Sequence, residues 1–124
     1  MKQLEVYTAR ISDWRHWHNT DVLFLDTTLM SGDLTFAPTG DILWPYKRGE
    51  IDEDTYTERY YRTLQRRIQS DYRPWKWLVN QEAVCLACYC QRGKFCHRHL
   101  LKRPVKYICD QEGIAFLDRG EIVW

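Results

Sequence analysis

The spacing of apolar and polar positions changes period several times along the chain, and each change marks an element. Gln3-Leu4-Glu5-Val6-Tyr7-Thr8 alternates residue by residue and predicts a short strand. Ile11 to Asn19 reads as a short helix with Ser12 or Asp13 as N-cap. Val22-Leu23-Phe24-Leu25 is continuously apolar, as in a strand covered on both faces, and ends in the small polar run Asp26-Thr27-Thr28. Residues 29–50 have no period and carry Ser31-Gly32-Asp33, Pro38, Gly40, Pro45 and Gly49. They predict a long loop, either functional or packed on the core through Phe36, Trp44 and Tyr46.

A helix is predicted from Asp52–Thr55 to about Ser70, with Thr55 and Glu58 at capping-box spacing. Tyr56, Tyr60, Leu64 and Ile68 form its apolar stripe, while Arg59, Arg62, Arg66 and Arg67 fall mostly on solvated faces. Pro74 interrupts the pattern before a short helix at Trp75–Leu78. Ala83–Cys88 is the most strand-like run. A helix from about Cys96 to Lys102 follows, which Pro104 is expected to end. Val105–Ile108 and Ala115–Leu117 read as strands, with Asp118-Arg119-Gly120 as a turn into Ile122-Val123-Trp124. Strands alternating with helices predict an α/β domain whose small, mostly parallel sheet is covered on both faces, with residues 1–124 as a single domain.

Composition narrows the partners. Eighteen basic against 17 acidic residues leave a net charge of +1, so charge alone calls for neither a nucleic-acid coat nor a membrane surface. No signal-like segment and no run of about 18 apolar residues is present, which predicts a soluble, cytoplasmic protein with no membrane partner. The five cysteines are an odd set, and Cys85, Cys88, Cys90 and Cys96 crowd into twelve residues, unlike a secreted disulfide framework.

Candidate chemistry lies where the strand at 83–88 hands over to the helix at Cys96, the sheet edge at which α/β proteins bind ligands. Four readings compete for Cys88-Tyr89-Cys90 and Cys96-His97-Arg98-His99. In the first, the helix start, Arg98 and a protonated His97 favour an anion or a thiolate nucleophile at Cys90 or Cys96. The Cys-x5-Arg loop of tyrosine phosphatases is not matched, because Cys96 stands six residues after Cys90. In the second, Cys88, Cys90, Cys96 and His97 or His99 bind zinc. The Cys85–Cys88 knuckle would lie inside the strand, with its residues on opposite faces, so no residue is assigned to a metal. The third is a redox pair formed by Cys88 or Cys90 with Cys96. In the fourth the thiols are buried small residues, most clearly Cys85 and Cys109 and extending to Cys88. His16 and His18, two apart in the predicted first helix, do not share a face.

Several separated segments resemble an uncharacterised family of bacterial and bacteriophage proteins, a domain of unknown function with a Cys at a strand end followed by Cys-His-Arg. They are Leu25–Thr28 with Ser31–Asp33, Phe36–Thr39, Tyr46–Ile51, Tyr56–Tyr60, and Cys88–Cys90 through Phe95–Leu101. The resemblance implies a Rossmann-like fold and no particular reaction. It also implies a longer final helix than Pro104 is expected to allow here.

These observations converge on a domain that binds, and acts on or merely sequesters, a small phosphate-bearing or nucleotide-like anion. Arg98 and Lys47 would hold the anion, and Thr27 and Ser31 would hydrogen-bond it. Cys90 or Cys96 would be nucleophile or close contact, His97 the proton carrier, and Asp26 its orienter or a base. No cofactor is specified. An alternative is a phage- or host-associated protein-interaction module using Trp44 and Tyr46, its Cys/His cluster structural or zinc-binding. A nucleic-acid reader built on Arg59, Arg62, Arg66, Arg67 and Arg73 with Tyr72, Trp75 and Trp77 is less favoured at this net charge.

Overall fold

A computed structural model describes residues 2–12, 21–90 and 94–122. Four strands, β1 (Gln3–Arg10), β2 (Leu23–Asp26), β3 (Ala83–Cys88) and β4 (Ala115–Glu121), form one sheet in the order β2-β3-β1-β4. Every pairing is parallel. All six residues of β3 are buried, so this strand is covered on both faces, as its apolar run requires. The α/β class, the parallel sheet and the Rossmann-like layering expected from the sequence are borne out.

Five helices complete the described fold: α1 (Gly40–Lys47), α2 (Glu53–Ser70), α3 (Arg73–Val79), α4 (His97–Leu100) and α5 (Lys102–Glu112). In α2 the buried stripe is Tyr56, Tyr60 and Leu64, with Ile68 partly covered. Its cap differs from the expected one. Asp52 is the N-cap and its carboxylate accepts the Thr55 N–H at 2.8 Å, so Thr55 lies inside the helix. The core joins this stripe to Leu4, Val6, Val84 and Leu86 of the sheet, and to Trp75, Val105 and Ile108. Each large apolar side chain taken fully from water contributes about 1.5–3 kcal/mol.

Four expectations are corrected by how prolines and glycines are used. Residues 40–47, expected within a loop, are helical, and Pro45 sits inside with Ile42 buried beneath. Pro104 does not end a helix. It lies in the first turn of α5, where the missing N–H has no intrahelical acceptor to lose. The expected strand at Val105–Ile108 is therefore helix, with Val105, Ile108 and Cys109 on its buried face. Asp118-Arg119-Gly120 is likewise not a turn but a bulge within β4. Val6 pairs with Asp118 and Tyr7 with Gly120, leaving Arg119 over, and Gly120 supplies the φ of 80°. The expected helix at Ile11–Asn19, with His16 and His18, falls mostly outside the described residues. Among the described residues no helix is long and apolar enough to cross a membrane.

Candidate functional site

At the carboxyl ends of β2 and β3 three segments meet: Asp26–Gly32, Cys88–Cys90 and Phe95–Arg98. Parallel pairing of β2 on β3 sets Asp26 opposite Ala87, so the two strands end at the same level. Cys96 is the N-cap of α4, and its sulfur meets that of Cys88 in a disulfide. Of the readings open for Cys88 (zinc ligand, partner of Cys96, buried thiol), the structure shows the pairing with Cys96, while Cys85 and Cys109 are free and fully buried.

His97 sits beside the two sulfurs, 5% exposed. Its Nε2 is 2.8 Å from the Thr27 carbonyl oxygen and 3.0 Å from Thr27 Oγ1. A carbonyl oxygen only accepts, so Nε2 carries the proton and Nδ1 turns its lone pair toward Cys96 Sγ, 3.8 Å away. Burial, with Arg98 and Lys47 nearby, pushes the imidazole pKa down to about 4 against the opposing pull of the Thr27 carbonyl and Asp26. His97 is therefore neutral at pH 7, not the protonated partner the thiolate reading assumed. Thr27, fully buried, donates its hydroxyl to the Ala87 carbonyl at 2.8 Å. It orients His97 from behind instead of facing a ligand.

Arg98 is also fully buried. Its Nε and Nη2 donate to the two carboxylate oxygens of Glu121 at 3.2 and 2.7 Å, and Nη1 donates to Cys88 Sγ at 3.1 Å and the Cys90 carbonyl at 2.8 Å. Burial raises the Glu121 pKa, but the Arg98 hydrogen bonds outweigh it and hold the carboxyl below its ordinary value. A guanidinium so engaged is no anion clamp; it supports the sulfur and the loop that carries Cys90. Its partner was not foreseen in the sequence, because Glu121 sits in a segment read as following a turn.

Asp26 takes three hydrogen bonds, from Thr28 N at 2.9 Å, Thr28 Oγ1 at 2.7 Å and Ser31 Oγ at 2.7 Å. Gly32 packs so closely that a Cβ there would run into the Asp26 carbonyl and come within 2.6 Å of Thr28 N. Asp26 and Ser31 thus knit the loop after β2, and Asp26 acts on His97 through its charge rather than through a hydrogen bond. Ser31 Oγ also lies 3.4 Å from the Tyr89 hydroxyl.

In front of this frame opens a cleft of about 200 Å³, into which Cys88, Cys90, Cys96 and His97 face. Its walls are aromatic: Tyr46 and Tyr56 each lie 5.3 Å, centroid to centroid, from Phe95, and Trp44 and Tyr89 add to them. Lys47, exposed at the end of α1, supplies a cation. Cys90 is a free, half-buried thiol. Of the expected site residues, the structure brings Cys90, Cys96, His97 and Lys47 to the cleft and sets Asp26, Thr27, Ser31 and Arg98 around it. The aromatic wall was not legible as a unit, because Trp44 and Tyr46 fell in the unassigned loop, Tyr56 in the helix stripe, and Tyr89 and Phe95 beside the cysteines. Of the arginines of α2, Arg67 is half-buried and donates to the Thr35 and Ala37 carbonyls, whereas Arg59, Arg62 and Arg66 are exposed, Arg62 paired with Glu58; Trp75 is fully buried.

A family model described as the active DUF488-N3 subclade matches residues 33–107. The chain belongs to this family, DUF488-N3a. The DUF488-N3a match takes in α1 to α4 and β3, and with them Lys47, Cys88, Cys90, Cys96, His97 and Arg98. Thr27, which orients His97, and Glu121, which anchors Arg98, lie outside it. No curated protein and no solved structure matches the chain.

Proposed function

We propose that the cleft binds a small, planar, phosphate-bearing ligand of nucleotide-like chemistry and is built to act on it. A single observation carries this reading: one cavity combines aromatic walls, a cation and a floor of sulfur and imidazole. At about 200 Å³ it is smaller than the roughly 300–1,000 Å³ of sites for drug-sized ligands, so it suits one ring system rather than an extended molecule. The ring would lie against Tyr46 and Phe95, where stacking is sequence-tolerant and worth about 1–3 kcal/mol per base. Lys47 at the mouth would meet the phosphate, while Thr27 and Arg98 hold the floor rigid behind it. The matching family model is described as an active subclade, which accords with a site built to act on its ligand.

A protein-interaction module is the second reading, favoured because Met30, Trp44 and Tyr89 are 77%, 43% and 60% exposed at the mouth. Calorimetric titration separates the two, with nucleoside monophosphates, their nucleosides and inorganic phosphate each tested alone. A monophosphate should bind more tightly than its nucleoside, and Lys47→Ala should erase that difference, about tenfold for one charge-assisted contact. Failure of every monophosphate to bind, or indifference to Lys47→Ala, would overturn the nucleotide reading.

A further inference from the structure

We propose that Cys88, Cys96 and His97 form a site for one thiophilic divalent cation, zinc by the chemistry of its donors, with a coordination position open to the cleft. Sγ of Cys88, Sγ of Cys96 and a ring nitrogen of His97 all lie within 4.8 Å of one another. Sulfur and nitrogen ligands of one tetrahedral zinc stand roughly 3.5–3.8 Å apart. The 3.8 Å between Cys96 Sγ and His97 Nδ1 meets that spacing.

The surroundings are those of a metal-binding imidazole. Thr27 fixes the Nε2–H tautomer through its carbonyl oxygen, which leaves Nδ1 as the ligand atom, the usual second contact of a coordinating histidine. Arg98 donates to Cys88 Sγ, a supporting contact that holds the sulfur in place. Charge also balances. Two thiolates neutralise a divalent ion, and Arg98 is neutralised separately by Glu121, so the ion can be buried without leaving net charge. The Cys88 and Cys96 Cα atoms are 7.7 Å apart, beyond the roughly 4.4–6.8 Å that disulfides span. Metal and disulfide exclude one another; the reduced pair binds the ion and releases two thiol protons to solvent. Among the described residues no fourth Cys, His, Asp or Glu joins the trio, which leaves the cleft side for water or ligand. The sequence offered Cys88, Cys90, Cys96 and His97 or His99 as zinc ligands and set zinc aside on the Cys85–Cys88 spacing; the structure brings three of those residues together.

The inference concerns the floor of the cleft read above as a ligand site. The metal alone is the probe, so nucleotide binding and metal binding fail independently. Reduced protein, held in a phosphine reductant, is titrated with Co²⁺ and then with Zn²⁺. One equivalent of Co²⁺ should give thiolate charge-transfer absorption and the visible bands of a tetrahedral ion, and Zn²⁺ should displace it one for one. Cys88→Ser or His97→Asn should weaken Co²⁺ binding by more than about a hundredfold, beyond the loss of a supporting contact. Cys90→Ser, with folding checked by circular dichroism, should keep the spectrum. A wild-type titration without thiolate charge transfer overturns the proposal whatever the variants do. Loss of the spectrum in folded Cys90→Ser overturns the three-ligand, open site.

Discussion

Arg98 has no contact with solvent, and its guanidinium ties α4 to two other pieces of chain: Glu121 on β4, and the Cys88–Cys90 segment through the Cys88 sulfur and the Cys90 carbonyl. Glu121→Gln would leave a buried cation with only a neutral partner. It should cost about 3 kcal/mol in urea denaturation at pH 7, the low end for a broken buried pair because Glu121 keeps some solvent contact. The pH dependence has a definite sign. The Glu121 carboxyl is held below its unfolded value of 4.5, so the unfolded chain takes the proton first. Stability is present above about pH 4.5 and lost as pH falls through the folded value, and Glu121→Gln should remove this share of the acid loss. Gly32 is a second sensitive position. Gly32→Ala should push the Asp26–Ser31 loop away from Asp26, lowering the melting temperature by several degrees, whereas Gly49→Ala meets no neighbour and is strained only by its φ of 75°.

Helices α2 and α5 show how local signals are shared between neighbouring residues. Ser, Thr and Asp can all cap, and in the run from Asp52 to Thr55 the residue that enters the helix with extended backbone is Asp52. Asp52→Ala should therefore cost about 1 kcal/mol by chemical denaturation, while Thr55→Ala should cost only a few tenths. Proline is ambiguous in the same way. A proline one turn into a helix and a proline ending one look alike in a sequence, and what distinguishes them is the burial of Val105, Ile108 and Cys109. Pro104→Ala should leave the helical circular dichroism signal unchanged. A marked gain in helix would place the break at Pro104 after all.

In the sheet, β3 and β1 are central, while β2 and β4 are edges. Amides of β3, buried throughout, should exchange with deuterium most slowly, and those of β4 around its bulge at Arg119 faster. The site is tied to both edges of the sheet, since His97 leans on Thr27, the residue after β2, and Arg98 on β4 through Glu121. Disturbing either edge strand therefore reaches the cleft without touching its lining.

Much of this architecture was legible from local pattern. The alternation at Gln3–Thr8 and the stripe of Tyr56, Tyr60 and Leu64 follow from periods of two and 3.6, the continuous apolar runs at Val22–Leu25 and Ala83–Cys88 from burial on both faces, and the sheet edge carrying Cys96-His97-Arg98 from the handover of strand to helix. Backbone geometry imposes those periods wherever one face is buried. Partnership carries no such period. His97 finds Thr27 across 70 residues and Arg98 finds Glu121 across 23, and either pair could be exchanged in the sequence without altering a hydropathy pattern. Local chemistry placed cations, thiols and an imidazole at one end of one strand. Packing then turned Arg98 inward, kept His97 neutral and brought Cys88 to Cys96, because a buried charge or polar group must be satisfied by whatever the folded chain brings within reach.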